Sequence, residues 1–216
     1  MSDATTRERP ILFSGPMVRA ILEGRKQQTR RVIKHRHAFK LHPDKITVER
    51  LAELRNAPVS IPVADEPDAV AYLRDVCPHG QPGDRLWVRE TWYCDVSLAN
   101  ETERLECLYY RADGECCDVI PECQCADVGK VRWRPSIHMP RWASRITLEL
   151  TGVRVERVQD IGDQDALWEG VPVGGQHGGD LVKTFHKIWD ELNAKRGFGW
   201  DVNPWVWVLE FKVLES

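Results

Sequence analysis

The amino-acid sequence predicts an α+β protein built round a small β-barrel, and three observations lead to that class. Several short segments alternate apolar and polar residues as strands do, most clearly the run RITLELTGVRVERV at 145–158. A few segments between them carry apolar residues at helical spacing. The 216 residues are 42% hydrophobic and 29% charged, which excludes a disordered chain. No run approaches the roughly 18 apolar residues of a membrane-spanning helix. We therefore expect one globular domain over residues 1–216.

The N-terminal part predicts a strand followed by a helix. Residues 11–13 form a short apolar run, Ser14 can cap a helix, and Pro16 suits a first helical turn. An apolar stripe follows, and Gly24 marks the end of the helix because glycine tolerates the conformation found at helix C-termini. Residues 29–34 are then typical of extended backbone.

The middle of the chain combines one clear strand with two insertions. Residues 35–76 are polar and contain four prolines, so we interpret them as an insertion with room for one or two helices. A turn over 78–84 precedes a strand over 85–92. Residues 93–130 are irregular, hold most of the cysteines and form the second insertion. One face of the strand is predicted to carry Leu86, Val88, Glu90 and Trp92.

The last third of the sequence predicts two strands and two helices. A long alternating segment over 144–158 precedes a short helix over 163–169 that Gly170 ends. The glycine-rich segment 174–179 is interpreted as a mobile flap. A longer helix follows, with an apolar stripe at Leu181, Phe185, Ile188 and Leu192. The chain closes with a strand in which the apolar residues alternate with smaller or polar ones, at Trp205, Trp207, Leu209, Phe211 and Val213.

Charge is distributed unevenly along the chain. The net charge is −3, but residues 1–40 and 131–158 are basic whereas 41–130 and 159–216 are acidic. Two basic segments that fold onto one face would bind a polyanion such as RNA. A solvated surface of mixed charge is the alternative.

The cysteines and the N-terminal segment favour the cytoplasm. Seven cysteines are an odd number, and Cys116 and Cys117 are adjacent, which argues against the disulfide framework of a secreted protein. The N-terminal segment has no apolar stretch of the signal-peptide type. Cys123 and Cys125 follow at a spacing that fits zinc knuckles poorly, so we expect no metal. Because the sequence has no phosphate loop or dinucleotide fingerprint, we expect no cofactor either.

Four segments carry a resemblance to a known family. ILEGRKQQTRR at 21–31, PGDRLWV at 82–88, QDIGDQDALWEG at 159–170 and the closing strand over 204–211 resemble, in order, the motifs of the ASCH domain family. This family belongs to the PUA-like superfamily. RPSIHMPRWASRI at 134–146 is similar to the larger ASCH proteins that bacteriophages and prophages encode. The segments cover about half of the chain and leave both insertions outside.

The resemblance implies a PUA-like barrel with flanking helices and inserted loops, and it implies several activities. Some ASCH proteins are amidohydrolases that remove the acyl group from N4-acetylcytidine with a lysine, a threonine and a glutamate. These residues correspond to Lys26, Thr29 and Glu169 in this sequence. Other relatives are RNA-binding modules, and a ribonuclease role has been proposed for some. The expected partner is therefore a small nucleoside or RNA, without a membrane.

The chemistry of an amidohydrolase assigns a role to each of the three residues. Thr29 would be the nucleophile, Lys26 the base that takes its proton, and Glu169 the group that orients the lysine or transfers a proton to the leaving amine. Lys26 and Thr29 would lie on opposite faces of a continuous strand but on one face of a helical turn, and Gly24 allows the chain to bring them together. The amides of Ser14 and Gly15 are candidate oxyanion donors. The alternatives are a solvated lysine, an ordinary strand threonine and a surface ion pair.

Further residues are predicted to bind the substrate or nucleic acid. Trp92 and Glu90, with Arg89 nearby, fit a pocket for a flat base, although Trp92 also fits the core. Arg25 belongs to the same predicted binding set. The nucleic-acid contacts are assigned to Arg30, Arg31 and Arg141. A binding module for RNA or a modified base, without turnover, is thus the alternative to the amidohydrolase.

Overall fold

The computed structural model of the protein describes residues 6–34, 74–75, 77–94, 108–114, 133–173 and 180–214. The helices are α1 (Gly15–Leu22), α2 (Asp163–Trp168) and α3 (Leu181–Asn193). The strands are β1 (Glu8–Leu12), β2 (Gln28–Val32), β3 (Arg85–Arg89), β4 (Trp92–Cys94), β5 (Leu108–Tyr110), β6 (Thr147–Arg157) and β7 (Trp205–Leu214).

Five of the strands form one mixed sheet in the order β1-β3-β6-β7-β2. β1 runs parallel to β3, and β3 pairs antiparallel with β6. β7 pairs antiparallel with β2, with Leu209 opposite Thr29. β2 is therefore a terminal strand of this sheet. β4 and β5 form a separate antiparallel pair.

The chain divides into two compact units, and the first consists of Met1–Gly24, Asp84–Glu149 and Val213–Ser216. α1 in this unit ends before Gly24, whose φ of +72° is a conformation that glycine adopts at little cost. The Asp84 carboxylate accepts a hydrogen bond from the Arg7 amide at 3.0 Å and fixes the start of β3 against β1. A small core of Trp92, Met139 and Ala143 packs against Leu108 and Tyr110.

The second unit consists of Arg25–Gly83 and Leu150–Lys212. Its core joins the helices to the buried half of β7, because Phe185 and Trp189 of α3 and Ala166 of α2 pack in one cluster with Val206 and Val208. The Asp180 side chain caps α3 by accepting from the Lys183 amide at 2.9 Å. This packing places β2 and α2 where their polar side chains can meet.

The predicted α+β class is confirmed, and the predicted helices and main strands appear in the expected order. Residues 93–130, however, were expected to be irregular, and the structure places β5 and most of β4 there as an antiparallel pair. The described strands form an open five-stranded sheet rather than the closed barrel that the sequence led us to expect. The reason is visible in the strand order: β1 and β2 occupy opposite ends of the sheet and do not pair with each other. None of the described helices has the length and apolar character needed to cross a membrane.

Several predictions fall on residues that the structure does not describe. The helices proposed within 35–76 and the cysteine cluster at 116–125 lie outside the described residues, as does the glycine-rich flap at 174–179. Among the described cysteines, Cys77 is a buried free thiol. No group of histidine, cysteine and carboxylate side chains in the described ranges has the arrangement of a metal site.

Candidate functional site

Two segments of the second unit meet along the N-terminal end of β2. The Gln27 amide donates to the Trp168 carbonyl at 2.7 Å, and Lys26 and Glu169 form an antiparallel bridge. On the other side of this segment, the Phe211 amide of β7 donates to the Gln27 carbonyl at 2.9 Å. The end of α2 thus continues the sheet for one step beyond β2 and places Glu169 beside Lys26.

Lys26 and Glu169 form a buried ion pair. The Lys26 Nζ donates to the Glu169 carbonyl oxygen and to Oε2, at 2.7 Å in each case. The Lys26 side chain is 0% exposed and that of Glu169 is 6% exposed. Burial lowers the pKa of Lys26 below its ordinary value, against the opposing pull of Glu169, and the neighbouring Arg31 and Arg30 lower it further. A lysine in this setting loses its proton more readily than a solvated one.

The position of Glu169 follows from how α2 ends. The Glu169 amide donates to Asp165 at 2.8 Å, which completes the last helical turn. Gly170 then adopts a φ of +88°, a left-handed conformation that lets the chain leave the helix at once. Arg25 donates to the Gly170 carbonyl at 3.0 Å and holds this turn. The sequence signal for the helix end therefore also places the carboxylate.

Arg30 joins the Lys26–Glu169 pair to two further carboxylates. Its NH1 donates to Glu169 Oε1 at 3.2 Å, and its NH2 donates to Glu156 Oε1 at 2.5 Å and to Asp165 Oδ2 at 3.0 Å. The Arg30 side chain is 1% exposed. Its guanidinium also lies 5.7 Å from the centre of the Phe185 ring. Arg30 is thus enclosed by carboxylates and an aromatic ring rather than presented to solvent.

Thr29 is buried on β2, three residues after Lys26, and among the described contacts none joins the two side chains that the sequence led us to expect together. Gln28 and Arg30 direct their side chains to Asp165 of α2, so the alternation of a strand places Thr29 and Arg31 on its other face. Within the described part of the chain the Thr29 hydroxyl makes no hydrogen bond. Burial lowers the pKa of Arg31 to about 10, and the charge of Glu169 opposes that change. Because Glu169 lies at the edge of β2, its charge acts on both faces of the strand.

Glu90, Trp92 and Arg89, which were predicted to bind a base, lie in the first unit, and Glu90 belongs to a separate charge cluster there. Arg145 binds the Glu90 carboxylate through Nε at 3.0 Å and NH2 at 3.2 Å, and it binds Asp113 at 2.7 and 2.8 Å. The Arg145 guanidinium lies 4.0 Å from the centre of the Tyr110 ring. Burial raises the pKa of Glu90 more than its hydrogen bonds with Arg145 lower it. Glu90 is therefore a buried partner of an arginine.

Trp92 is a core residue of the first unit. It is 2% exposed and belongs to the cluster with Met139 and Ala143. The Arg134 guanidinium lies 4.9 Å from its ring centre, and Trp142 meets it edge-on at 5.9 Å. The alternative that the sequence left open, a place in the core, is the one that the structure shows.

The remaining predicted residues are dispersed over the first unit. Ser14 precedes α1 without a side-chain capping bond, and Gly15 begins the helix. Arg89 donates to the Ile137 carbonyl and lies over the Trp87 ring at 5.3 Å. Arg141 pairs with Glu8, with Nε at 3.0 Å from Oε2.

Sequence reasoning missed several partners that complete these clusters. Asp165 and Glu169 are four residues apart on a helix, a spacing that places both side chains on one face. Lys26, Gln28 and Arg30 alternate along one strand face. These two periodicities point to a shared cluster of charges, whereas the contribution of Glu156 from β6 and of Arg145 depends on tertiary packing alone.

The family models, the curated proteins and the solved structures compared with this chain contain no match.

Proposed function

We propose that this protein is an amidohydrolase that removes the acyl group from N4-acylated cytosine nucleosides, of the N4-acetylcytidine type. The observation that carries the proposal is the buried contact of Lys26 with Glu169, residues 143 positions apart in the chain. Hydrolysis of an amide needs a base of moderate strength, and a lysine serves as one only where burial lowers its pKa. The resemblance to ASCH amidohydrolases, including a PUA-like fold for the α+β core, independently assigns these two residues and Thr29 to catalysis.

In the proposed reaction, the acyl group passes from the amine to Thr29 and then to water. For this step the Thr29 hydroxyl, which β2 places on the face opposite Lys26, has to come within reach of the Lys26 amine. Neutral Lys26 then takes the hydroxyl proton while the oxygen attacks the acyl carbonyl. The tetrahedral intermediate expels the N4 amine, which receives that proton from the Lys26 ammonium. Water then attacks the acyl-threonine ester while Lys26 takes the proton of the water. The Lys26 ammonium returns that proton to the departing Thr29 oxygen, and the carboxylic acid is released. Glu169 holds Lys26 throughout and stabilises its charged form.

The proposal is tested by following the ultraviolet change as N4-acetylcytidine is converted to cytidine. We expect Lys26→Met, Thr29→Ala and Glu169→Gln each to lower kcat by about 10²-fold or more, as expected for loss of a general base or a nucleophile. In Lys26→Met the Glu169 carboxylate keeps Arg30 as a partner, so the fold is expected to persist. Gln27→Ala, at an exposed neighbouring position, is the matched control and should retain the wild-type rate.

Each outcome of this experiment has a distinct meaning. No turnover by the wild-type protein on N4-acetylcytidine or on longer N4-acyl analogues contradicts the amidohydrolase. Turnover that persists in Thr29→Ala but is lost in Lys26→Met removes Thr29 from the mechanism and makes water the nucleophile. Thermal unfolding of every variant separates a lost reaction from a lost fold.

A second candidate function is the binding of RNA or a modified base by the first unit. The observation that favours it is a pair of arginines whose charge has no carboxylate partner in the described part of the chain. Arg89 lies over Trp87 at 5.3 Å and Arg134 over Trp92 at 4.9 Å. The described part of this unit contains arginines but no lysine. An arginine guanidinium binds phosphate through several N–H donors and stacks on planar groups.

A further inference from the structure

We propose that Arg30 is a positioning residue for the reaction, which fixes the Glu169 carboxylate between two cations and thereby aligns Lys26. This inference rests on the proposed function, because it concerns the working geometry of the same Lys26–Glu169 pair. It goes beyond the family resemblance, which assigns no role to this arginine. It also gives Arg30 a different role from the nucleic-acid contact that the sequence predicts.

The first argument is the division of the Glu169 carboxylate between two donors. Oε2 accepts from Lys26 Nζ at 2.7 Å, whereas Oε1 accepts from Arg30 NH1 at 3.2 Å. A carboxylate held at both oxygens cannot rotate about its terminal bond without losing one partner. Arg30 therefore determines which oxygen faces Lys26 and in which direction that oxygen points.

The second argument is that Arg30 is itself immobilised. Its NH2 is shared by Glu156 of β6 and Asp165 of α2, and Phe185 of α3 lies against its guanidinium. Side chains of three elements, β6, α2 and α3, thus fix the arginine, whose side chain is 1% exposed. Rigid donors of this kind align a reacting group at no further entropic cost during the reaction.

The third argument comes from charge. Arg30 and Arg31 both lower the pKa of Lys26, while Glu169 raises it. Removing the Arg30 charge takes away one of the influences that favour neutral Lys26, so more of the lysine is protonated at a given pH. The charged groups that act on Lys26 are Glu169, Arg31 and Arg30. Glu156 of β6 and Asp165 of α2 face Arg30 rather than Lys26.

The chain offers a matched control arginine. Arg154 contacts Asp165 at 3.4 Å, Glu156 at 3.7 Å and Glu210 at 2.9 Å, so it shares two of the three carboxylates with Arg30. It makes no contact with Glu169 within the described part of the chain. Loss of Arg154 therefore perturbs the same charge cluster without releasing the Glu169 carboxylate.

The experiment compares the pH dependence of kcat on N4-acetylcytidine for wild type, Arg30→Gln, Arg30→Lys and Arg154→Gln. We expect Arg30→Gln to lose about 10²-fold in kcat, the cost of a misplaced reacting group, and to shift the acidic limb of the profile to higher pH. Arg30→Lys keeps the charge but not the forked geometry, so it should lose about tenfold while its acidic limb stays in place. Arg154→Gln should keep kcat within about threefold and the limb unmoved.

The outcomes separate this inference from the proposed function. Three results would each overturn the positioning role while leaving the amidohydrolase intact. They are a loss of kcat in Arg30→Gln without a shift of the acidic limb of the pH profile, an equal loss of kcat in Arg154→Gln, and full activity in Arg30→Lys. If Arg30→Gln does not fold, the Arg30→Lys result decides alone. If the wild type has no turnover, the proposed function fails, and NMR titration of a labelled Lys26 still tests the coupling: an unchanged titration in both Arg30 variants overturns it.

Discussion

At the scale of single residues, each buried charge in the described ranges lies beside an opposite charge, and this pairing determines what substitutions do. Lys26, Arg30 and Glu90 lie beneath the surface, and each has a partner of opposite sign at 3.2 Å or less. Removing one member of a buried pair typically costs about 3–5 kcal/mol because the other charge is left uncompensated. Glu169 has two cationic partners, so the loss of either one leaves its charge balanced.

Glu90 gives a prediction about pH that does not depend on the proposed activity. Burial raises its pKa in the folded protein above the ordinary value of 4.5. Below pH 4.5 the folded and unfolded states are both protonated at this position. As the pH rises, the unfolded state loses the proton first, so folding loses stability until the pH exceeds the folded pKa. Relative to Glu90→Gln, the wild type should therefore lose unfolding free energy above pH 4.5 and then level off.

Urea unfolding of both proteins between pH 4 and 8 measures this difference, because titrations common to both cancel. A difference curve that rises with pH or stays flat from pH 4 contradicts the raised pKa. Glu149→Gln, on β6 of the same unit, is the control for removing another carboxylate.

At the scale of elements, the ends of α2 determine where Glu169 lies. The helix begins after Gly162, whose φ of −96° is open to any residue and whose position has free space for a Cβ. It ends before Gly170, whose φ of +88° favours glycine. The same substitution should therefore have opposite effects at the two ends.

Gly162→Ser is expected to stabilise the protein by about 0.3 kcal/mol, since a serine hydroxyl at the N-cap accepts a hydrogen bond from a free helix amide, which glycine cannot do. Gly170→Ser is expected to destabilise it by about 1–2 kcal/mol through backbone strain and to lower deacylation, because Glu169 adjoins the strained residue. Chemical denaturation of both variants measures the two signs. Equal effects at the two positions contradict the assigned helix ends.

Some features of the fold and the site could be predicted from the sequence, and others could not. The spacing of apolar residues and the residues at helix ends predicted α1, α2, α3 and the main strands, because these signals act over a few neighbouring residues. The strand order, which leaves β1 and β2 at opposite ends of the sheet, follows from long-range pairing and contradicted the expected barrel. Likewise, the sequence named Lys26 and Glu169, but it gave no sign that Arg30 would be buried against Glu156.

At the scale of the whole molecule, the two compact units carry different chemistry. The second holds the Lys26–Glu169 pair and its enclosed cations, whereas the first holds arginines over tryptophans. A buried charge pair suits proton transfer, and uncompensated arginines beside aromatic rings suit phosphates and bases. If both candidate functions belong to this protein, they should be separable by substitution in the full chain.

We expect the double variant Arg89→Gln, Arg134→Gln to weaken binding of a short single-stranded RNA while nucleoside turnover stays at the wild-type rate. Each removed phosphate contact should lower the slope of log affinity against log salt by about 0.7. Lys26→Met should show the reverse, with turnover lost and RNA binding retained.

Arg9→Gln is the control for the loss of an arginine, because the charge of Arg9 is already paired with Asp84 at 3.6 Å. Binding measured by fluorescence anisotropy at several salt concentrations, beside turnover on the same preparations, decides the matter. RNA binding that is equal in the double variant and in Arg9→Gln removes these two arginines from nucleic-acid recognition, because they then contribute no more than an arginine that is paired with a carboxylate.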